Sequence, residues 1–242
     1  MSNQTSTRII SIGTAVPENR FLQADLAKWM HQRLNPMDTR MGRIFQALYR
    51  KTKIEKRHSV LQDFHKDCSK PALFKNSNTE PKVEERLAIY DQEAVTLAEK
   101  AIEECLKSYD KNKITHIITV SCTGMSAPGI EIQLKKRLEL KQSAQTHAVN
   151  FVGCYAFFPA LKMADAFIQS NSKANVLIVA VELCTLHFQN KDSDDHLLSN
   201  SLFSDGAAAC LCSAELGKGI SLKLTGRRQS LLSNGKSEER IY

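Results

Sequence analysis

Cys154 stands in the run Val149-Asn-Phe-Val-Gly-Cys-Tyr-Ala-Phe-Phe-Pro-Ala-Leu161, at the join between a β-like and a helix-like pattern. Gly153 allows a tight turn there with unusual backbone angles. The cysteine would then open an apolar helix, where unpaired amides and the helix dipole stabilise a thiolate. A thiolate so placed is a good acyl acceptor, in the manner of a nucleophile elbow. The bland alternative is one more buried cysteine. The chain has seven cysteines, an odd number scattered through apolar segments, which argues against a disulfide framework. Cys210 and Cys212 are separated by one residue, too few for a zinc knuckle, and no metal is expected.

A second chemical feature is basic. Seven of the residues from Arg40 to Arg57 are Lys or Arg, against the single acid Glu55. Such a patch attracts phosphate, or is a solvated helix face. No nucleic-acid motif accompanies it, so nucleic acid is not expected as a partner.

The elements that must position these groups follow from periodicity. Residues 8–13 read as a short buried strand ended by Gly13 and Pro17. Residues 21–34 and 41–53 read as helices, 66–82 as a loop, and 83–109 as a long helical stretch. Residues 114–121 form a β-branched strand, 130–138 a short basic helix, and 147–152 a further strand. A helix over 154–170 follows, then a strand buried on both faces over 175–181. Residues 207–213 and 220–225 are further strands. Alternation through 114–181 implies an α/β fold, with a mixed, mainly parallel sheet between helices.

The 242 residues carry 33 basic and 26 acidic side chains, a net charge of +7, and are 42% hydrophobic and 24% charged. That is ordinary for a globular chain long enough to bury a core. There is no run of about 18 apolar residues, so no membrane span is expected. The polar N-terminus has no secretory pattern, and a cytoplasmic location is expected.

Four motifs in register resemble the type III polyketide synthases, the chalcone and stilbene synthase group of the thiolase superfamily. They are Gly153-Cys154-Tyr155-Ala156 with Pro159 to Ala164, and Thr123-Gly-Met-Ser-Ala-Pro-Gly129. With them go Val181-Glu-Leu-Cys184 and Ser201-Leu-Phe-Ser-Asp-Gly-Ala-Ala-Ala209. Residues 155–159 resemble bacterial members more than plant ones. The resemblance implies the N-terminal half of a layered thiolase-like fold over residues 1–226, and a linker at 227–242 to an absent C-terminal half. It implies an acyltransferase that loads an acyl-CoA starter on Cys154 and condenses it with malonyl-CoA. No cofactor beyond these coenzyme A thioesters is implied. Phe203 matches an aromatic gate, and Cys122, Glu182 and His187 fall at cavity-lining positions. Lys51 falls where the family grips coenzyme A phosphate, with Arg43 and Arg50 near it and Ala47 where plant members carry arginine. The implied partner is a second copy in a homodimer, or a complementary C-terminal half.

The family's catalytic His and Asn come from that second half. After Phe203 this sequence has no histidine, and its later asparagine is Asn234. The chain therefore reads as incomplete for condensation. A truncated relative that binds coenzyme A without turnover is the alternative, and a ketoacyl-carrier-protein synthase III is the rival enzyme.

Overall fold

The computed structural model describes residues 5–34, 39–75, 79–191, 193–219 and 221–226. The linker expected at 227–242 lies outside the described residues.

A six-stranded mixed sheet carries the fold, in the order β5-β4-β6-β7-β1-β8. Its strands are β1 (Arg8–Ala15), β4 (His116–Ser121), β5 (Gln145–Asn150), β6 (Asn175–Leu183), β7 (Asp205–Ser213) and β8 (Leu222–Lys223). β4 is parallel to β5 and β6, while β7 runs antiparallel to both β6 and β1. β2 (Asn19–Leu22) and β3 (Lys56–Ser59) form a separate antiparallel pair.

Alternation along the central strands sends side chains to two cores. Ile117, Leu177, Val179, Leu211 and Ala209 face the long helix α3 (Val83–Leu106), whose Ala94, Ala98, Ala101 and Ile102 are wholly buried. Ile118, Val120, Val176, Ile178 and Cys212 face α5 (Phe157–Ser170) through Ala160, Ala164 and Ile168. The expectation of helices on both faces of an α/β sheet is thus met.

Gly13 is not a strand end. It lies inside β1, and a Cβ there would stand 2.3 Å from the Ala101 carbonyl oxygen and the Cys105 nitrogen. Its lack of a side chain lets the α3 backbone seat directly on β1, where the Ser11 hydroxyl donates to the Cys105 carbonyl at 2.6 Å. Alanines along α3 serve the same close approach.

Beyond the carboxyl ends of β4 and β6 sits a cap of α1 (Gln23–Leu34), α2 (Thr39–Lys51), α6 (Asp194–Leu202) and the β2–β3 pair. Edge-to-face aromatic contacts hold it, with Trp29 against Phe64, Phe74 and Phe188 at 4.8–5.7 Å. Asp205 ties the cap to the sheet. Its carboxylate accepts from the Val60 and Thr185 amides at 2.8 Å each and from the Thr185 hydroxyl at 2.7 Å. A short basic helix, α4 (Ile130–Arg137), follows the loop after β4 and packs beside α3. Among the described residues no helix is long and apolar enough to cross a membrane.

Candidate active site

In an open α/β sheet, ligands bind outside the carboxyl ends of the parallel strands. Here those ends belong to β4, β5 and β6, and each delivers a cysteine just past its last residues. Cys122 follows β4, Cys154 follows β5, and Cys184 follows β6.

Cys154 is exposed, in the turn that leads into α5. The backbone just before it is unusual. Gly153 has φ +102°, and Phe151 has φ +57°, a left-handed conformation that costs a side-chain-bearing residue energy. The amides of Phe151 and Ala156 bond to the carbonyls of Ser121 and Gly153 at 3.2 and 2.9 Å. The α5 helix starts at Phe157, so Cys154 precedes the helix rather than opening it. The helix-dipole argument for Cys154 is weakened accordingly, because the field of the terminus falls off within a turn.

Cys122 is held from both sides. The Gly153 amide donates to its sulfur at 3.3 Å. Its own amide donates to the Glu182 carboxylate, at 2.9 and 3.1 Å to the two oxygens. Glu182 also accepts the Thr123 hydroxyl at 2.7 Å, and that hydroxyl accepts the Leu183 amide at 2.9 Å. Burial pushes the Glu182 carboxyl up from its ordinary value, and the donors from Thr123 and Cys122 pull it back in part. This small network clamps the β4 loop to the end of β6.

Tyr90 supports the clamp from α3, donating to the Ser121 hydroxyl at 2.6 Å. Gly124 leaves room for that ring: a Cβ would come within 2.5 Å of three of its atoms.

His187 donates from Nε2 to the Thr123 carbonyl at 2.6 Å, which leaves Nδ1 as an acceptor. Burial lowers its pKa, the bond to Thr123 opposes that, and the Arg86 charge lowers it further. The imidazole is accordingly neutral near pH 7.

A cavity opens between this edge and the cap. Phe64, Phe188 and Phe203 line it, together with Arg57, Cys184 and His187. Cys184 links cavity and edge. Burial pushes its thiol pKa far up, followed by the charges of Glu182, Asp205, Cys154 and Cys122.

Of the residues singled out from sequence, Cys122, Cys154 and Glu182 gather at the strand ends. Phe203 and His187 line the adjoining cavity. Lys51 does not join them: it is exposed in the last turn of α2 with Arg50, and Arg43 is exposed earlier in the same helix. Arg57 departs from the solvated basic patch that the sequence predicts. It is buried, and its Nη1 donates at 2.8 Å to the carbonyls of Asn200 and Phe203. A cation thus closes the carboxyl end of α6 and fixes the backbone of Phe203. The sequence signal was available, since Arg57 falls on the buried side of an alternating Lys56 to Ser59 segment. Among the described residues no His, Cys, Asp or Glu cluster could hold a metal ion.

A mixed sheet between helices, with a cysteine turn beyond its parallel strands, is a thiolase-like α/β arrangement. The match to known proteins narrows this. Residues 1–216 match the chalcone and stilbene synthases, N-terminal domain, and the chain belongs to that family. It is 27% identical over 206 residues to probable polyketide synthase 1 of Dictyostelium discoideum, spanning 83% of this chain and 6% of that protein. The crystal structure of the C-terminal type III polyketide synthase domain of Steely1, a type I/III hybrid from Dictyostelium, superposes with a TM-score of 0.78. That match has 25% identity and covers 87% of this chain and 57% of the other. PKS-I from the brown alga Ectocarpus siliculosus shares the fold, with TM-score 0.77, 22% identity, and 88% and 57% coverage. The chain spans about half the length of these solved relatives.

Proposed function

We propose that this chain is the acyl-loading half of a type III polyketide synthase-like acyltransferase. Cys154 attacks the carbonyl of an acyl-CoA thioester, a tetrahedral oxyanion forms and collapses, and coenzyme A leaves as the thiol. The observation that carries this is the position of Cys154. It is an exposed thiol in a turn beside Gly153, at the carboxyl edge of the parallel strands, within a family-matched segment.

The second half-reaction is condensation of the acyl group with malonyl-CoA. It needs donors for the negative oxygen that develops on decarboxylation. His and Asn supply these in the family that the motifs resemble. We assign those donors to further polypeptide, either a C-terminal half or a partner in a dimer. Exposed apolar groups beside the site favour such a covering: Phe151, Tyr155 and Phe158 are 48–69% exposed. Ile12 pairs with Cys210 in the sheet and is 56% exposed. Phe203 then gates the passage to Cys154, Cys122, Glu182 and His187 shape the acyl cavity, and Lys51 with Arg43 and Arg50 meets phosphate. The bacterial affinity rests on residues 155–159 alone, and a cytoplasmic location fits an enzyme that uses coenzyme A thioesters.

The test is release of coenzyme A. With excess acyl-CoA, chromatography is expected to show one equivalent freed per chain and none from Cys154→Ala. Steady release at equal rates from both proteins would overturn the proposal.

A further inference from the structure

The carboxyl ends of β4, β5 and β6 each carry a thiol, and acyl transfer uses one of them. Cys122 and Cys184 are free cysteines without an assigned chemical step. β4 lies between β5 and β6 in the sheet, so Cys122 stands between Cys154 on one side and Cys184 on the other.

We propose that Cys122 and Cys154 form a peroxide-responsive thiol pair, in which oxidised Cys154 is captured by Cys122 as a reversible disulfide. The Gly153 amide lies 3.3 Å from the Cys122 sulfur. Standard backbone dimensions then place that sulfur within about 8 Å of the Cys154 Cα. In a disulfide each sulfur stands about 4 Å from its partner's Cα, so a shift of a few ångströms suffices. The segment that must shift can do so. Residues 151–155 are all exposed, with no packed side chain to hold them, and Gly153 at their centre has the widest choice of backbone angles.

The chemistry balances in two steps. Hydrogen peroxide transfers one oxygen to the Cys154 sulfur: the O–O bond breaks, water leaves, and the thiol becomes a sulfenic acid, oxidised by two electrons. The Cys122 sulfur then attacks the Cys154 sulfur. The S–S bond forms, the S–O bond breaks, and hydroxide leaves with the Cys122 proton as a second water. A small dithiol reductant reverses the pair by thiol–disulfide exchange. Cys184 is the weaker candidate for capture, because its buried thiol is held protonated and attack needs the thiolate. The consequence for the site is protection. A captured Cys154 does not proceed to the sulfinic acid, which thiols do not restore.

The inference deepens the reading of Cys154 as the acyl acceptor but is tested apart from it. The full chain is treated with a several-fold molar excess of hydrogen peroxide, freed of the excess by gel filtration, and analysed in acid, without thiol alkylation, by intact mass and peptide mapping. The expected result is a loss of about 2 Da, with a Cys122–Cys154 linked peptide that dithiothreitol abolishes. Cys122→Ser is expected to gain about 32 Da at Cys154 under the same treatment, without recovery, while Cys184→Ser behaves as the parent. A parent protein that gains about 32 Da with no linked peptide overturns the proposal, as does a pair joining Cys154 to Cys184. Acyl loading without the disulfide would sink only this inference, and the disulfide without acyl loading would sink only the functional one.

Discussion

Thr123→Val removes one oxygen and keeps the side-chain shape, so it isolates the clamp between β4 and β6. The hydroxyl makes two bonds: it donates to the Glu182 carboxylate at 2.7 Å and accepts the Leu183 amide at 2.9 Å. The bond to a carboxylate contributes about 1.5–3 kcal/mol, and a buried amide left without a partner costs about 1–3 kcal/mol. Leu183 is fully buried, so water cannot replace the lost acceptor. Glu182 keeps the Cys122 amide, which limits the damage on its side. The sum is a loss of about 2.5–6 kcal/mol, toward the lower end because Glu182 keeps a donor. Urea denaturation should show it as a lower midpoint at unchanged slope. A double-mutant cycle with Glu182→Gln should return a coupling of at least about 1 kcal/mol, because the two side chains share a bond. A loss below about 0.5 kcal/mol, or additive mutants, would refute the clamp.

Three further outcomes follow from the same geometry. Gly13→Ala drives a Cβ to 2.3 Å from α3 backbone atoms, and overpacking of that kind costs about 3 kcal/mol; an unchanged melting temperature would contradict the seating of α3 on β1. Burial raises the Asp205 carboxyl from 3.8 to about 6, against the pull of its Thr185 and Val60 donors. A pKa raised on folding gives stability that is full below 3.8 and is lost as pH rises through about 6, about 3 kcal/mol in all. Asp205→Asn should flatten the stability profile across that window, and an unaltered slope would count against it. Lys51→Glu is expected to weaken coenzyme A thioester binding several-fold at low salt, an effect that shrinks as salt screens the charge; equal affinities would remove Lys51 from the phosphate site.

Much of the sheet was legible because its central strands are apolar on both faces. Residues 114–121 and 175–181 carry β-branched runs that admit little else, and the structure returns them as β4 and β6 within two residues. The β2–β3 pair was not legible. Asn19–Leu22 and Lys56–Ser59 are short and polar, and Phe21 reads equally well as the first apolar residue of the helix that follows. Helix α6 was missed too, although Ser193 followed by Asp194 and Asp195 is a helix start signal. Gly13 looked like a strand end because a sequence does not show which helix will lie across it. The start of α5 was misplaced because Cys154 to Ala156 form a turn of apolar and aromatic residues that carry no breaker.

At the site, the family resemblance pointed to Cys154 and Glu182, while the way Cys122 bridges their two loops was not legible. Thr123 belongs to a motif, yet its hydroxyl couples Glu182 to Leu183 only because β4 and β6 end side by side. Arg57 was grouped with the surface charges of α2. Its burial follows from strand alternation in β3 and from two carbonyls, in α6 and just past its end, that lie 143 and 146 residues away in the chain.

The account turns on where an acyl group lands. The purified chain, incubated with an acyl-CoA and examined by intact mass and peptide mapping, should carry one acyl group as a hydroxylamine-labile thioester on Cys154, absent in Cys154→Ala. An unmodified parent chain, or an adduct that persists in the variant at Cys122, Cys184 or a lysine, would contradict it.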